Sequence, residues 1–422
     1  MKPHDFDTLC IHEGYTPEPT THARAVPLYM TSAYTYDDTE HARYLFANPT
    51  EGNLYTRIMN PTTDVLEKRV AALEGGVAAL AAASGHAAMV MTFLNLAAPG
   101  GEIVSAKAIY GGAHNMMENT LSQMGISCRF VDSDRPEAFA EATNERTRAW
   151  FIETIGNPNA DIPDIGEIAR RAHALGVPLV ADNTVASPWL MQPLALGADI
   201  VIHSLSKFLS GNGTIIGGIV VDAGRFPWLG NPRFPQFNKP DESYHDLVYD
   251  EKTAFITKLR ANFLRDIGAC ISPFNSWITL QGMETLSLRM ERHCASALRI
   301  AEYLERHPKV ARVRYPGLKS SPYYPLQQTY CPRGGGSVYS FDLAGGREAA
   351  TAFCDSLRLI SIVSNLGDAR TLISCPAATT HSQLSEAALV EAGIQPGTIR
   401  LSVGLESVCD LLADMDEAFA RL

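Results

Sequence analysis

The chain opens without hydrophobic rhythm. Its first ~50 residues, rich in Thr, Tyr and Pro (THARAVPLYMTSAYTYDD), predict an extended arm that packs on something else. At Asn60-Pro61 the pattern turns helical: an N-cap residue and a proline at the first helical position precede Leu66, Val70 and Leu73 on one face, and Gly75-Gly76 ends the run. Ser84-Gly85-His86 then leads into a second apolar helix that closes at Pro99-Gly100-Gly101.

From there apolar strands and helices alternate. EIVSA, CRFV, RAWFIE, VPLVAD, DIVIH and GIVV read as strands with few polar interruptions. Between two of them, Ile165, Ile168, Ala172 and Leu175 fall at helical spacing before Gly176. Near-continuous apolar strands separated by helices predict a mostly parallel sheet covered on both faces, an α/β domain.

The alternation breaks between Asp222 and Tyr249, where Pro, Gly, Asn and aromatics crowd together (DAGRFPWLGNPRFPQFNKPDESYHDLVY). This segment reads as an inserted surface excursion, a lid or a subunit contact. Helical patterning returns near Glu284 to His307, followed by a smaller α+β part with strands at Ser337 to Asp342 and Thr398 to Val403. A closing helix carries Val408, Leu412, Met415 and Phe419 on one side. The resulting division is an arm over 1–58, a large α/β domain over 59–265 with the 222–249 insertion, and an α+β domain over 266–422.

Composition narrows the class of protein. Apolar residues make up 46% and charged residues 19%, as in an ordinary globular enzyme. A net charge of -11 argues against nucleic acid and acidic membranes as partners. The start of the chain has no apolar signal region, and its longest apolar stretch, near Ala87 to Ala98, is interrupted by Thr92 and Asn95 and is too short to span a bilayer. The expectation is a cytoplasmic protein. Its eight cysteines show no CxxC and no zinc spacing, so they read as reduced and structural, with no metal site.

Candidate chemistry centres on Lys207. It follows the strand Asp199 to His203 within HSLSKFLSGNGTIIGG, and Asp182 ends an apolar run, VPLVADN, about 25 residues upstream. A lysine and an aspartate at the ends of two buried strands are what pyridoxal phosphate chemistry requires. The amine forms a Schiff base with the aldehyde, and the carboxylate keeps the pyridine nitrogen protonated. The glycines of SGNGTIIGG miss the dinucleotide spacing and precede a strand, and no GxxxxGK[ST] occurs, which sets nicotinamide and P-loop readings aside.

Ser204 and Ser206 flank Lys207 and can donate to a phosphate, although SxSK alone also describes a solvated loop. Ser84, Gly85 and His86 at a helix start offer free N–H groups to the same anion. Tyr110, after EIVSA, can stack on a pyridine ring or simply pack in the core. Glu153 and Asn157, in FIETIGNP, can bond ring substituents or make a turn. Tyr55 and Arg57, in NLYTRIMNPT, suit a phosphate or stand as surface residues. Arg400 is a charge inside the apolar strand TIRLSVG and needs a partner, either a substrate α-carboxylate or a structural salt bridge.

Assembled, these residues make the chain resemble the Cys/Met-metabolism family of pyridoxal-phosphate enzymes, which includes the cystathionine γ-synthases and lyases, the methionine γ-lyases and the O-acetylhomoserine sulfhydrylases. The resemblance runs from IHEGYTPEPTTHARAVPLY to IRLSVGLE and rests on YTRIMNPT, IYGG, ETIGNP, ADNT, HSLSK and RLSVGLE in that order. It implies the aspartate-aminotransferase-like fold (fold type I), with a mostly parallel seven-stranded central sheet and a smaller α+β C-terminal domain. It also implies pyridoxal 5'-phosphate as cofactor and a homotetramer whose sites are shared across a dimer.

By the same resemblance Lys207 is the Schiff-base lysine and proton shuttle, Asp182 the pyridinium partner, and Tyr110 the stacking residue and acid/base. Ser84, Gly85, His86, Ser204 and Ser206 bind phosphate, joined by Tyr55 and Arg57 from a neighbouring subunit. Asn157 contacts the ring hydroxyl, and Arg400 takes the substrate carboxylate, with Asn365, Tyr55 and Glu153 beside the substrate.

Within the family, Gly112 in IYGGAHN, Asn365 before Leu366-Gly367-Asp368, the 222–249 excursion and the segment PAATTHSQLSEAAL resemble the sulfhydrylases. His86 in place of their usual glutamine, and SLSK in place of SATK, depart from them. The implied reaction is γ-replacement on O-acetyl-L-homoserine, with sulfide or methanethiol displacing acetate to give homocysteine or methionine. The alternatives are γ-elimination, another homoserine ester, or another nucleophile.

Overall fold

The computed structural model describes residues 4–48, 51–376 and 394–422. Two sheets organise them. The first has seven strands, β1 (Ala78–Ala82), β2 (Glu102–Ala106), β3 (Ser127–Val131), β4 (Thr147–Glu153), β5 (Leu179–Asp182), β6 (Ile200–Ser204) and β7 (Gly218–Asp222), in the order β1-β7-β6-β5-β4-β2-β3. The pairs β2/β3, β2/β4, β4/β5 and β5/β6 are parallel, and β7 runs against both of its neighbours. Helices cover the sheet, and outside the edge strand β3 the strands' central residues are buried on both faces, which is why they read as largely apolar runs. The sequence expectation of a mostly parallel α/β sheet holds.

The second sheet, β8 (Val310–Arg314), β9 (Val338–Leu343), β10 (Ser361–Ile362), β11 (Leu372–Ser374) and β12 (Thr398–Ser402), has the order β10-β11-β12-β9-β8. β12 lies between antiparallel neighbours that place Arg400 opposite Ser374 and Ser340. The helix Leu286–Arg306 packs against β8, and the closing helix Val408–Phe419 packs against that helix.

Three sequence expectations require correction. The N-terminal arm is not wholly extended: it contains α1 (Phe6–His12) and α2 (Thr39–Ala47). In α1 only Cys10 is buried, too little for a periodic signal, and α1 packs on α3 (Pro61–Glu74), where Arg69 Nε donates to Glu13 O at 2.9 Å. Strand β1 was not anticipated, because its sequence AALAA carries no strand propensity. Its small side chains fit between β7 and the helices α3 and α4 (Gly85–Leu96).

The third correction concerns the 222–249 excursion as a lid. Trp228 is fully buried among Phe226, Phe234, Phe237 and Phe255, at ring-centroid distances of 4.5, 5.1, 5.3 and 5.2 Å. The segment is anchored by this aromatic cluster, and none of its residues lines the cavity described below. Most of the sulfhydrylase-like segment PAATTHSQLSEAAL, from 377 on, lies outside the described residues.

Replacing Trp228 with Ala should destabilise the protein by about 3–5 kcal/mol, the usual cost of emptying a large buried aromatic site. Urea unfolding of wild type and variant measures it; a loss under about 1 kcal/mol would mean that the cluster is loosely packed.

Candidate active site

Parallel strands deliver their C-terminal ends to one edge of a sheet, and a ligand crevice forms there. At that edge, between the two sheets, a cavity of about 410 Å³ is lined by Ser84, Gly85, His86, Tyr110, Glu153, Asn157, Asp182, Ser204, Ser206, Lys207, Asn365 and Arg400, among others. All of these were candidates from the sequence. Tyr55 and Arg57 were too, but they lie outside the cavity: Tyr55 is 43% exposed, with the Arg57 guanidinium 5.7 Å from its ring centre.

One wall is the start of α4. Ser84 is its N-cap, with Oγ accepting from Ala87 N at 3.0 Å. The first-turn N–H groups that follow have no helical acceptor of their own. Glycine is required here because a Cβ on Gly85 would sit 2.9 Å from Ser204 Cβ, and one on Gly218 would sit 2.1 Å from Ser84 O. The helix start is thereby pressed against the ends of β6 and β7, forming an anion cradle.

Lys207 stands in the turn after β6. Burial, and then the nearby Arg400 charge, lower its amine to about 8. Nζ donates to Asn365 Oδ1. The turn itself is fastened by Arg289, which donates to Phe208 O and Gly282 O, both at 2.8 Å. Gly211, at φ +74°, leaves room for that guanidinium, since a Cβ there would lie 2.2 Å from Arg289 Nη1.

Asp182 ends β5 and accepts from Thr184 N at 2.9 Å. Burial raises its pKa against the lowering effects of the Thr184 hydrogen bonds and of His203 and His86. Glu153, beside it at the end of β4, is raised well above the carboxylate range by burial and by the Asp182 charge. Its two oxygens accept from Tyr110 N at 2.7 Å and Asn157 N at 3.2 Å, so this carboxyl shapes the backbone around the cavity. The Tyr110 ring is 44% exposed and meets His86 edge-on at 5.7 Å. Gly112 permits that placement, because a Cβ there would meet the ring at 2.5 Å.

Arg400 completes the opposite wall. It is buried, which lowers its pKa to about 10, and it donates to Asn365 O at 2.8 Å and, at a long 3.5 Å, to Asn157 Oδ1. Nε has no partner among the described residues, and no carboxylate among them pairs with this guanidinium. Ser206 lines the cavity with its hydroxyl engaged by Gly217, accepting from N at 3.1 Å and donating to O at 3.4 Å.

Thr184 was missed from the sequence, although it receives Ser204 N at 2.8 Å and braces Asp182. An Asx-turn in ADNT was the available signal. Ser364 and Ile216 also line the cavity unanticipated, the latter because IIGGIVV read as continuous strand.

These residues fit pyridoxal phosphate. A weakly basic amine faces the opening, a carboxyl on the cavity wall has no ion-paired cation among the described residues, and a glycine-cleared helix start offers N–H groups to an anion. Fold and site together define a fold-type I pyridoxal-phosphate-dependent enzyme. More narrowly, the profile described as Cys/Met metabolism PLP-dependent enzyme matches residues 7–420, and the chain belongs to that family.

The chain is 50% identical to the O-acetyl-L-homoserine sulfhydrylase of Leptospira meyeri, with 99% of this chain and 97% of that protein covered. It is also 50% identical to O-acetyl-L-homoserine sulfhydrylase 1 of Thermus thermophilus, with 98% and 100% covered. A Campylobacter jejuni structure described as an O-acetylhomoserine (thiol)-lyase, bearing a pyridoxyl-lysine phosphate, superposes with a TM-score of 0.96 at 38% identity, covering 99% of this chain and 100% of that one.

A lysine lowered to about 8 captures aldehydes faster as pH rises through that value, because only the neutral amine attacks. The rate at which cofactor-free protein develops visible absorbance with pyridoxal phosphate should climb between about pH 7 and 9 and then level off. A rate still climbing toward 10.5, the ordinary lysine value, would contradict the buried environment.

Proposed function

We propose that the chain is an O-acetyl-L-homoserine sulfhydrylase, which exchanges the acetate on Cγ of O-acetyl-L-homoserine for sulfide and forms homocysteine for methionine biosynthesis. The carrying observation is Arg400: a buried guanidinium with no carboxylate of its own, across the same cavity as Lys207. An α-amino-acid substrate brings a carboxylate for the first and an amine and Cα–H for the second. Names of full-length relatives at 43–50% identity support this choice of substrate: besides the two sulfhydrylases, they include homocysteine synthase of Schizosaccharomyces pombe and homocysteine/cysteine synthase of Saccharomyces cerevisiae.

Bound pyridoxal phosphate supplies an electron sink that eases loss of protons from the substrate's Cα and Cβ. In this reading Asp182 would hold the ring nitrogen in its protonated form, Tyr110 would stack on the ring, and Asn157 would bond its hydroxyl. The N–H groups of Gly85 and His86 hold the phosphate with Ser84, Ser204 and Ser206. Lys207 Nζ takes the proton from Cα, with Asn365 Oδ1 as its hydrogen-bond acceptor while it is free. The Tyr110 hydroxyl stands at the open side of the cavity, where it can pass a proton to the departing acetate and take one from the arriving sulfide.

Tyr55 and Arg57 complete the phosphate site of a second copy of the chain, a reading supported by their place outside their own cavity. We accordingly assign a homo-oligomer, a tetramer of paired dimers. A cytoplasmic setting agrees with its free cysteines.

The test is a steady-state assay of cofactor-loaded protein with O-acetyl-L-homoserine, with and without sulfide, following homocysteine and 2-oxobutyrate. Sulfide-dependent homocysteine with little 2-oxobutyrate is expected. Equal 2-oxobutyrate without sulfide would make the protein a γ-eliminating lyase instead. Replacing Arg400 with Ala should raise KM for the amino acid on the order of 100-fold, as loss of a buried charge pair does; an unchanged KM would move carboxylate recognition elsewhere.

A further inference from the structure

The strand ends that build the site carry a second row of side chains facing away from it. Side chains alternate along a strand. Glu153, Asp182 and Ser204 line the cavity, while their neighbours Thr154, Asn183 and His203 do not. These three meet one another and Glu74, the last residue of α3, in a fully enclosed network. Thr154 Oγ1 donates to Asn183 Oδ1 at 2.8 Å, and Asn183 Nδ2 donates to Glu74 Oε1 at 2.7 Å. His203 Nε2 lies 2.6 Å from the same Glu74 oxygen. A second bond from Asn183 Nδ2, to Met191 O at 2.9 Å, fixes the amide.

As a structural fastening this network is poorly made. Glu74 Oε2 and His203 Nδ1 are buried without partners among the described residues. A buried polar network with unmatched members is costly, and orphaned polar atoms call for an explanation. The placement offers one. The network ties the end of β4, the end of β5 and the end of β6 to one carboxylate, at the residues adjoining Glu153, Asp182 and Ser204. Its imidazole is also near enough to favour the ionised form of Asp182, after the burial that opposes it and the Thr184 hydrogen bonds that assist.

We propose that Glu74, acting through His203 and Asn183, is a positioning residue for the cofactor: it fixes Asp182 relative to Lys207 from the back of the sheet and so sets how firmly the ring nitrogen is held. This rests on the pyridoxal-phosphate reading of the cavity.

The experiment compares wild type with Glu74→Gln and His203→Gln, each stripped of cofactor and titrated with pyridoxal phosphate, alongside urea unfolding of the cofactor-free forms. Glu74→Gln should weaken cofactor binding at least tenfold, shift the bound cofactor's visible band, and lower kcat with KM for the amino acid little changed. Cofactor-free stability should move far less than binding does. If Glu74→Gln is recovered only as aggregate, His203→Gln, which removes the imidazole from beside Glu74 and Asp182, carries the same expectation. Variants that bind cofactor as tightly as wild type and with the same band would overturn the proposal, whatever their stability. Wild type that takes up no pyridoxal phosphate would overturn the reading of the cavity itself.

Discussion

Two ionisable groups with no oppositely charged partner in an ion pair among the described residues govern this molecule. Asp182 is a carboxyl on the cavity wall at the end of β5, and Arg400 is a guanidinium buried in β12 of the other sheet. Charges are left unpaired in a protein interior only at considerable cost, which a ligand of complementary charge can offset. They are not aimed at each other: the cavity lies between them, and Lys207 stands in it with an amine made nucleophilic by the same burial. In the function proposed, a ring nitrogen that carries a proton answers Asp182, and an amino-acid carboxylate answers Arg400. The chemistry follows from which charges the fold leaves unsatisfied.

The fold achieves this with few devices. Parallel strands bring Glu153, Asp182 and Ser204 to one edge: Glu153 is in register with Asp182 across β4 and β5, and Ser204 lies two residues past the partner of Asp182 on β6. Glycines at 85 and 218 let a helix start close against that edge, and Arg289 fastens the turn that carries Lys207. Glu153 shows the economy of the arrangement. Its carboxyl holds the backbone on either side of the cavity, at Tyr110 and at Asn157, and so joins two loops that sequence separates by more than forty residues.

Much of this was legible in the sequence wherever the physical signal is local. The strands from EIVSA to GIVV stand out because burial of most of them leaves few polar positions, and the helix from Asn60 stands out by its cap and proline. Lys207, Asp182 and Arg400 were visible as charged residues at the ends or inside of apolar runs. What was not legible depends on tertiary context. The alanines of β1 form a strand only because bulk is excluded between β7 and two helices. The excursion after β7 looked like a surface loop because its aromatics bury against Phe255, which follows it in the chain. The role of Glu153 toward the backbone, and the engagement of Ser206 with Gly217, depend on side-chain direction that no spacing reveals.

The central claim is that Lys207 is the lysine which this cavity, among the described residues, presents to an aldehyde cofactor. Reduction of cofactor-loaded protein with borohydride, followed by proteolysis and mass spectrometry, tests it most directly. The account predicts one pyridoxyl-phosphate adduct per chain, on the peptide containing Lys207. An adduct on another lysine, or none at all, would contradict it.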